Sequence, residues 1–257
     1  MPPGSDRFLS ASNSAAVTPA FCLSSPQTGT VYPVYLHDAP AGAPAVLFLE
    51  GDDQFAPAVA AYDALRLAGA VPPLRLVGLG YGASYAQPGN RRGRDYTPTA
   101  HTDEPTSGGG EAFLAFLRQT FWPDLAQRIP IDGAVRGLAG HSLGALLVLQ
   151  ALWQDEPFFT HHLASAPSVW WDDRSILRLG RERHARRPAL PARLFLAVGE
   201  RDSESMLGDL ALLEAQLAAA PFAGLAVTSR RFPRRNHFNV LPDAFGAGLA
   251  ALFGTAP

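Results

Sequence analysis

A Ser/Gly turn, Gly140-His141-Ser142-Leu143-Gly144, is followed along the chain by an acidic group, Glu200, Asp202 and Glu204, and then by His237. Serine, carboxylate and histidine are the parts of a nucleophilic acyl-transfer site. A serine hydroxyl attacks poorly at neutral pH, so it needs a base to take its proton and a third group to orient that base. Ser142 is the candidate nucleophile and His237 the candidate base. Asp202 is the candidate acid on its Gly-x-x-acid spacing from Gly199; Glu200 is the alternative, and a Ser/His pair without a side-chain acid stays open. The other six histidines fit less well. His37 and His101 precede the serine, His141 lies inside the turn and is expected to point elsewhere, His161 and His162 open a strand, and His184 sits on a basic helix. Attack on an ester creates an oxyanion, which two backbone N–H groups must hold. Leu143, next after the nucleophile, supplies one, and Gly51 or Asp52 supplies the other.

These residues need elements to bring them together. Gly133–Ala139 is a short, mostly apolar run that reads as a buried strand, and Ala145–Trp153 is an apolar run without Gly or Pro that reads as a buried helix. Strand, sharp turn, helix is the setting of a nucleophile elbow, in which the order Ser, acid, His is that of the α/β-hydrolases. The flanking glycines are expected to avoid collisions with the neighbouring helix and strand. Strands are expected at 21–24, 30–37, 45–50, 74–79, 159–166, 194–198 and 225–232, with helices at 57–68, 111–127, 174–187, 206–220 and 241–253. The first two strands suggest an antiparallel entry, and the alternation that follows predicts a mostly parallel sheet with helices on both faces. Gly80 to Gly110 reads as a long loop, which in a compact domain is functional or mobile. No repeat or linker is visible, so one domain over 1–257 is expected, with residues 1–19 loosely ordered.

Composition narrows the function classes. Hydrophobic residues make up 47% and charged residues 17%, a globular balance. A net charge of -2 gives no electrostatic case for nucleic acid or an anionic membrane. All 21 basic residues are arginine, which excludes a catalytic lysine, a Schiff base and a P-loop. The single cysteine, Cys22, excludes an intrachain disulfide and reads as a packed thiol. No metal site is indicated, without H-E-x-x-H or a cysteine pair, and no cofactor, since Gly108-Gly109-Gly110 does not follow a strand as a dinucleotide loop must. No run reaches the length of a membrane helix. Residues 1–20 lack a continuous apolar stretch, so no signal peptide is read and a cytoplasmic location is expected; a periplasmic one would follow if a signal peptide had been removed.

Taken together, these residues resemble the Putative esterase family of α/β-hydrolases, which includes esterase D, feruloyl esterases, mycolyltransferases and bacterial enterobactin and salmochelin esterases. The resemblance covers about residues 27–253. It is carried by Leu49-Glu50-Gly51-Asp52, by Arg92-Gly93-Arg94-Asp95-Tyr96-Thr97-Pro98, by Gly108-Gly109-Gly110-Glu111-Ala112-Phe113-Leu114, by the elbow, by Ala164-Ser165-Ala166-Pro167-Ser168-Val169-Trp170-Trp171 and by Asn236-His237-Phe238. R-x-x-D-Y-T-P is the most specific of these and looks like the siderophore esterase branch. The resemblance implies Ser142 as nucleophile, His237 as base and Arg92 at the substrate site. Glu50 departs from the family's usual Asp, and Ala145 from its second Gly after the elbow.

On the residues alone, Arg92 could hold an anionic or polar acyl group in fork geometry, or pair with Asp95 to pin its loop. Trp170 and Trp171 could wall an aromatic acyl pocket or pack in the core. The expectation is a serine carboxylic-ester hydrolase acting on a small-molecule ester through an acyl-Ser142 intermediate. An acyltransferase on the same site and a non-catalytic binding module are its rivals.

Overall fold

A computed structural model of the protein describes residues 18–85 and 87–254; the expectation for the N-terminal tail falls, over residues 1–17, outside the described residues. Eight strands form one sheet in the order β1-β2-β4-β3-β5-β6-β7-β8. β1 (Phe21–Ser24) pairs antiparallel with β2 (Val31–His37), and β2 antiparallel with β4 (Arg75–Leu79). From there β3 (Ala43–Leu49), β5 (Ile131–His141), β6 (His161–Ser165), β7 (Ala189–Gly199) and β8 (Ala223–Phe232) run parallel to β4. The antiparallel entry and the parallel body are as the sequence predicts. Parallel pairing has one functional consequence: the carboxyl ends of β3, β5, β6, β7 and β8 all point to the same rim.

Two hydrophobic layers sandwich the sheet. In β3, Ala45, Leu47 and Leu49 pack into one layer, while Val46 and Phe48 pack into the other. This alternation within a wholly apolar run is what a strand covered on both faces requires. One layer is completed by α1 (Gly51–Leu67) and α8 (Leu241–Phe253), through Phe55, Tyr62, Phe245 and Leu249. The other is completed by α3 (Gly110–Phe116), α4 (Trp122–Arg128), α5 (Leu143–Leu152), α6 (Trp171–Arg186) and α7 (Glu204–Ala219). The aromatic stripe Phe113, Phe116 and Phe121 lies in that second layer, fully buried.

Several boundaries differ from expectation for identifiable reasons. α1 starts at Gly51, six residues before Pro57, because Glu50 takes a left-handed backbone (φ 55°, ψ 48°) and turns the chain from β3 straight into the helix. Asp52 and Asp53 then fall in the first turn, where negative charge suits the helix dipole. The 111–127 helix is continuous in space but widens to a π turn at Leu117–Phe121 between α3 and α4. The long loop carries a short helix, α2 (Arg92–Asp95), and is pinned rather than loose. Asp52 accepts from the backbone of Tyr81 and Gly82, and Asp53 from Ser84 and Tyr85. Further along the loop, buried Asp95 accepts from the hydroxyls of Tyr32 and Tyr81. Cys22, expected to be packed, is exposed, because β1 is the edge strand and Cys22 lies on its outward face.

Candidate active site

The elbow is built by β5 and α5. Ser142 joins them at φ 60°, ψ -121°, a backbone region that costs an L-residue on the order of 1–3 kcal/mol. Neighbouring chain holds it there. The Ser142 N–H donates to the Ser165 carbonyl (3.0 Å), and the Ser168 N–H donates to the Ser142 carbonyl (3.2 Å). A Cβ on Gly140 would lie 2.5 Å from the Gly144 carbonyl carbon, so the turn closes only with glycine at that position. Gly144 is different: an added Cβ would find its nearest neighbour at 3.6 Å, ordinary contact. The steric need expected of both glycines thus falls on Gly140.

The acid and base arrive on the loops after β7 and β8. A Cβ on Gly199 would lie 2.3 Å from the Arg235 carbonyl oxygen, and the Arg201 N–H donates to that same oxygen at 2.7 Å. The two loops are therefore in backbone contact. Asp202 Oδ2 meets His237 Nδ1 at 3.0 Å, and Asp202 Oδ1 accepts from the Ser203 N–H at 2.8 Å. A carboxylate can only accept, so this contact selects the tautomer of the neutral imidazole that has its proton on Nδ1 and its lone pair on Nε2. The Asp202 side chain is nearly buried, while His237 reaches the surface. Glu200 is exposed, and among the described residues its side chain has no hydrogen-bond partner. Of the acidic group, only Asp202 meets the histidine.

Ser142, Asp202 and His237 line one open cleft of about 480 Å³, together with Ser168, Trp170, Arg201, Met206 and Phe238. Ser168 was not anticipated from the sequence; its hydroxyl lies 3.4 Å from that of Ser142. His141 was expected to point away. Instead its ring packs 4.6 Å from the His237 ring and its Nδ1 lies 3.0 Å from Ser165 Oγ. Burial above all, then the neighbouring His237 and Arg92, pushes the His141 pKa down to about 3, so this imidazole is neutral.

The remaining candidates divide. Trp170 is half exposed at the cleft, whereas Trp171 is buried and donates its indole N–H to the Thr99 carbonyl (3.1 Å), away from the cleft. Leu143 stands first in α5 and Gly51 first in α1, positions whose N–H groups have no acceptor inside their helices. Arg92 does not pair with Asp95, whose partner is Arg94 (Nε to Oδ1, 2.7 Å). Arg92 Nε lies 3.0 Å from Oε1 of the fully buried Glu50, at ion-pair distance but off hydrogen-bond alignment, and its guanidinium sits over the Tyr85 ring at 4.8 Å. Among the described residues its terminal nitrogens have no hydrogen-bond partner. Burial raises the Glu50 pKa to about 7, against the pull of Arg92 and Asn90 toward the charged form. Among the described residues no group of three or more His, Cys, Asp or Glu side chains comes together to hold a metal, and no helix is long and apolar enough to cross a membrane.

The geometry agrees with what the chain is similar to. The family described as Putative esterase matches residues 23–232. Ferri-bacillibactin esterase BesA of Bacillus subtilis is 30% identical over 227 residues, covering 79% of this chain and 76% of that protein. The BES protein of Bacillus cereus superposes with a TM-score of 0.82 over 98% of this chain and 99% of its own, at 23% identity, which speaks for the fold. Enterobactin hydrolase IroE, solved with the serine inhibitor DFP, superposes with a TM-score of 0.68 at 25% identity over 90% of this chain and 93% of its own. The chain belongs to the Putative esterase family and is a serine carboxylic-ester hydrolase of the α/β-hydrolase fold.

Proposed function

We propose that this esterase cleaves the ester bonds of siderophores, with Ser142 as nucleophile, His237 as base and Asp202 as the group that orients it. The observation that carries the assignment is the convergence of these three side chains, from the loops after β5, β7 and β8, on one cleft. Ser142 Oγ attacks the ester carbonyl carbon as its proton passes to His237 Nε2. The oxyanion is held by the N–H of Leu143 and by that of Gly51, each at a helix N-terminus where negative charge is favoured. Collapse of the intermediate breaks the C–O bond, and the alcohol leaves with the proton from His237. Water then attacks the acyl-Ser142 carbonyl, again giving its proton to His237, and the acid is released as Ser142 recovers its hydrogen.

The cleft favours water as the second acceptor. Trp170 is 48% and Phe238 89% exposed at its rim, so among the described residues no lid shields the acyl-enzyme as an acyltransferase would need. The siderophore substrate is suggested by the ferri-bacillibactin and enterobactin esterases among the relatives. Trp170 is the cleft's exposed aromatic wall for the acyl group, and the terminal nitrogens of Arg92 are suited to its anionic oxygens. Trp171 contributes only by packing. The test is a panel of p-nitrophenyl esters beside ferric and iron-free catecholate trilactones. Trilactones should be cut with kcat/KM well above that of p-nitrophenyl acetate. Arg92→Ala should raise KM for the trilactone by about tenfold or more relative to p-nitrophenyl acetate, the value of a lost charged hydrogen bond, since any loss passed through the Glu50 turn to Gly51 falls on both substrates alike. Turnover of simple esters with none of any trilactone would reject the siderophore assignment.

A further inference from the structure

The base in a triad must present Nε2 to the nucleophile, and one bond at Nδ1 does not achieve this. An imidazole held only by Asp202 can still pivot about the Nδ1···Oδ2 line and swing Nε2 away from Ser142. The loop that carries His237 is held by its backbone, since the Arg235 carbonyl accepts from the Arg201 N–H and Asn236 Oδ1 accepts from the N–H groups of Phe238 and Asn239, but these bonds do not fix the rotation of the His237 ring. The loop's buried ends are Phe232 and Val240. Two rings meet that of His237: Phe238 of the same exposed loop, at 5.6 Å between centroids and 86° between planes, and the buried His141, at 4.6 Å and 45°.

His141 is itself well anchored. It is the last residue of β5, is 6% exposed, and has Nδ1 3.0 Å from Ser165 Oγ at the end of β6. One side chain thus ties the ends of two central strands to the loop of the base, directly beside the nucleophile in sequence. Its neutrality matters as well. When His237 takes the serine proton it becomes a cation, and a charged neighbour at this distance would oppose that step. Burial keeps His141 uncharged.

We propose that His141 is a positioning residue for the reaction: anchored on Ser165, it braces the His237 ring and fixes the direction of Nε2 toward Ser142. The inference rests on Ser142 and His237 being nucleophile and base, so it is tested on an enzyme whose Ser142 has first been shown to take an organophosphonate. A wild type that labels elsewhere would refute that assignment, and the brace with it. On a wild type labelled at Ser142, His141→Phe keeps the packing but loses the bond to Ser165. With p-nitrophenyl butyrate as probe, it should lose roughly 10- to 100-fold in kcat with KM within about twofold, the scale of a displacement of about 1 Å at a reacting group. The rate of organophosphonate labelling should fall by the same factor. His141→Gln, which can still bond Ser165, should recover kcat to within about fivefold of the wild type, as expected if the bonded network supplies the positioning. A Phe variant with wild-type kcat would overturn the proposal, as would a Gln variant no better than Phe, or a loss confined to KM. Should His141→Phe fail to fold, Ser165→Ala removes the anchor instead. A kcat loss of several-fold with KM unchanged is then expected, and wild-type kcat would overturn the brace.

Discussion

Two carboxylates come to lie beside a nitrogen base at the same rim of the sheet, each just after a parallel strand. Asp202 follows β7 and meets His237 at 3.0 Å; Glu50 follows β3 and meets Arg92 at 3.0 Å. Distance does not distinguish them, but access does. The Asp202 carboxylate is shielded while its partner opens onto the cleft that holds Ser142, so the pair can pass a proton to and from a substrate. Glu50 is enclosed completely, with its partner beneath Tyr85, and its pKa near 7 is the result of burying a carboxylate. One pair is suited to chemistry, and the other to holding the αL turn at Glu50 from which Gly51 and α1 begin.

The largest effect should come from the exposed half of the first pair. His237→Ala should lose on the order of 10³-fold or more in kcat without a change in melting temperature. A variant keeping a tenth of the activity would remove His237 as base. Next is its partner: Asp202→Asn should cost about 10²- to 10⁴-fold through the wrong tautomer, while exposed Glu200→Gln should stay within about twofold. The reverse ranking would move the acid to Glu200, and two small losses would mean a Ser/His dyad.

The second pair should show itself in stability. Arg92→Ala strands the Glu50 carboxylate, which can then take up a proton; with a folded pKa of about 7, that limits the electrostatic loss in urea unfolding at pH 8 to about 1–2 kcal/mol. At pH 5, where Glu50 takes a proton, the loss should be much smaller. Equal losses at both pH values would show that the pair is not ionised at pH 8.

A smaller effect concerns the wild type across pH. The Glu50 pKa is about 7 in the folded protein against a reference of 4.5, so the folded state holds the extra proton and Glu50 weakens stability as pH rises through that window. His141 and His162 at about 3, and His161 at about 4, lie below their reference of 6.5 because of burial. The unfolded state then holds the extra protons, and stability falls as pH drops below about 6.5. Three histidines outweigh one glutamate, so the urea midpoint should rise with pH up to about neutral and then level off, and Glu50→Gln should steepen the rise between about pH 4.5 and 7. An unchanged slope over that window in the variant would show that Glu50 is not raised by burial.

The elbow was legible because each part leaves a local mark: an apolar strand, a glycine that alone fits, an apolar helix. The chain order placed Asp202 and His237 on loops, and the fold brings them into contact through Gly199. The start of α1 was not legible, since nothing in the sequence announces that a glutamate adopts φ 55°. Nor was the partner of Arg92. Asp95, three residues on, was the local choice, but the pairing is set by the crossing of the long loop over β3. The division of Trp170 from Trp171 needed the direction of each indole, and the role of His141 needed the position of His237, far along the chain.

The most direct test is to label the protein with a fluorophosphonate and locate the adduct by tandem mass spectrometry, before and after His237→Ala. Ser168 makes the experiment discriminating, because its hydroxyl lies 3.4 Å from that of Ser142 in the same cleft. A single adduct on Ser142, formed far more slowly in the His237 variant, is the expected result. An adduct on Ser168, or labelling of Ser142 at the same rate without His237, would contradict the assignment of nucleophile and base.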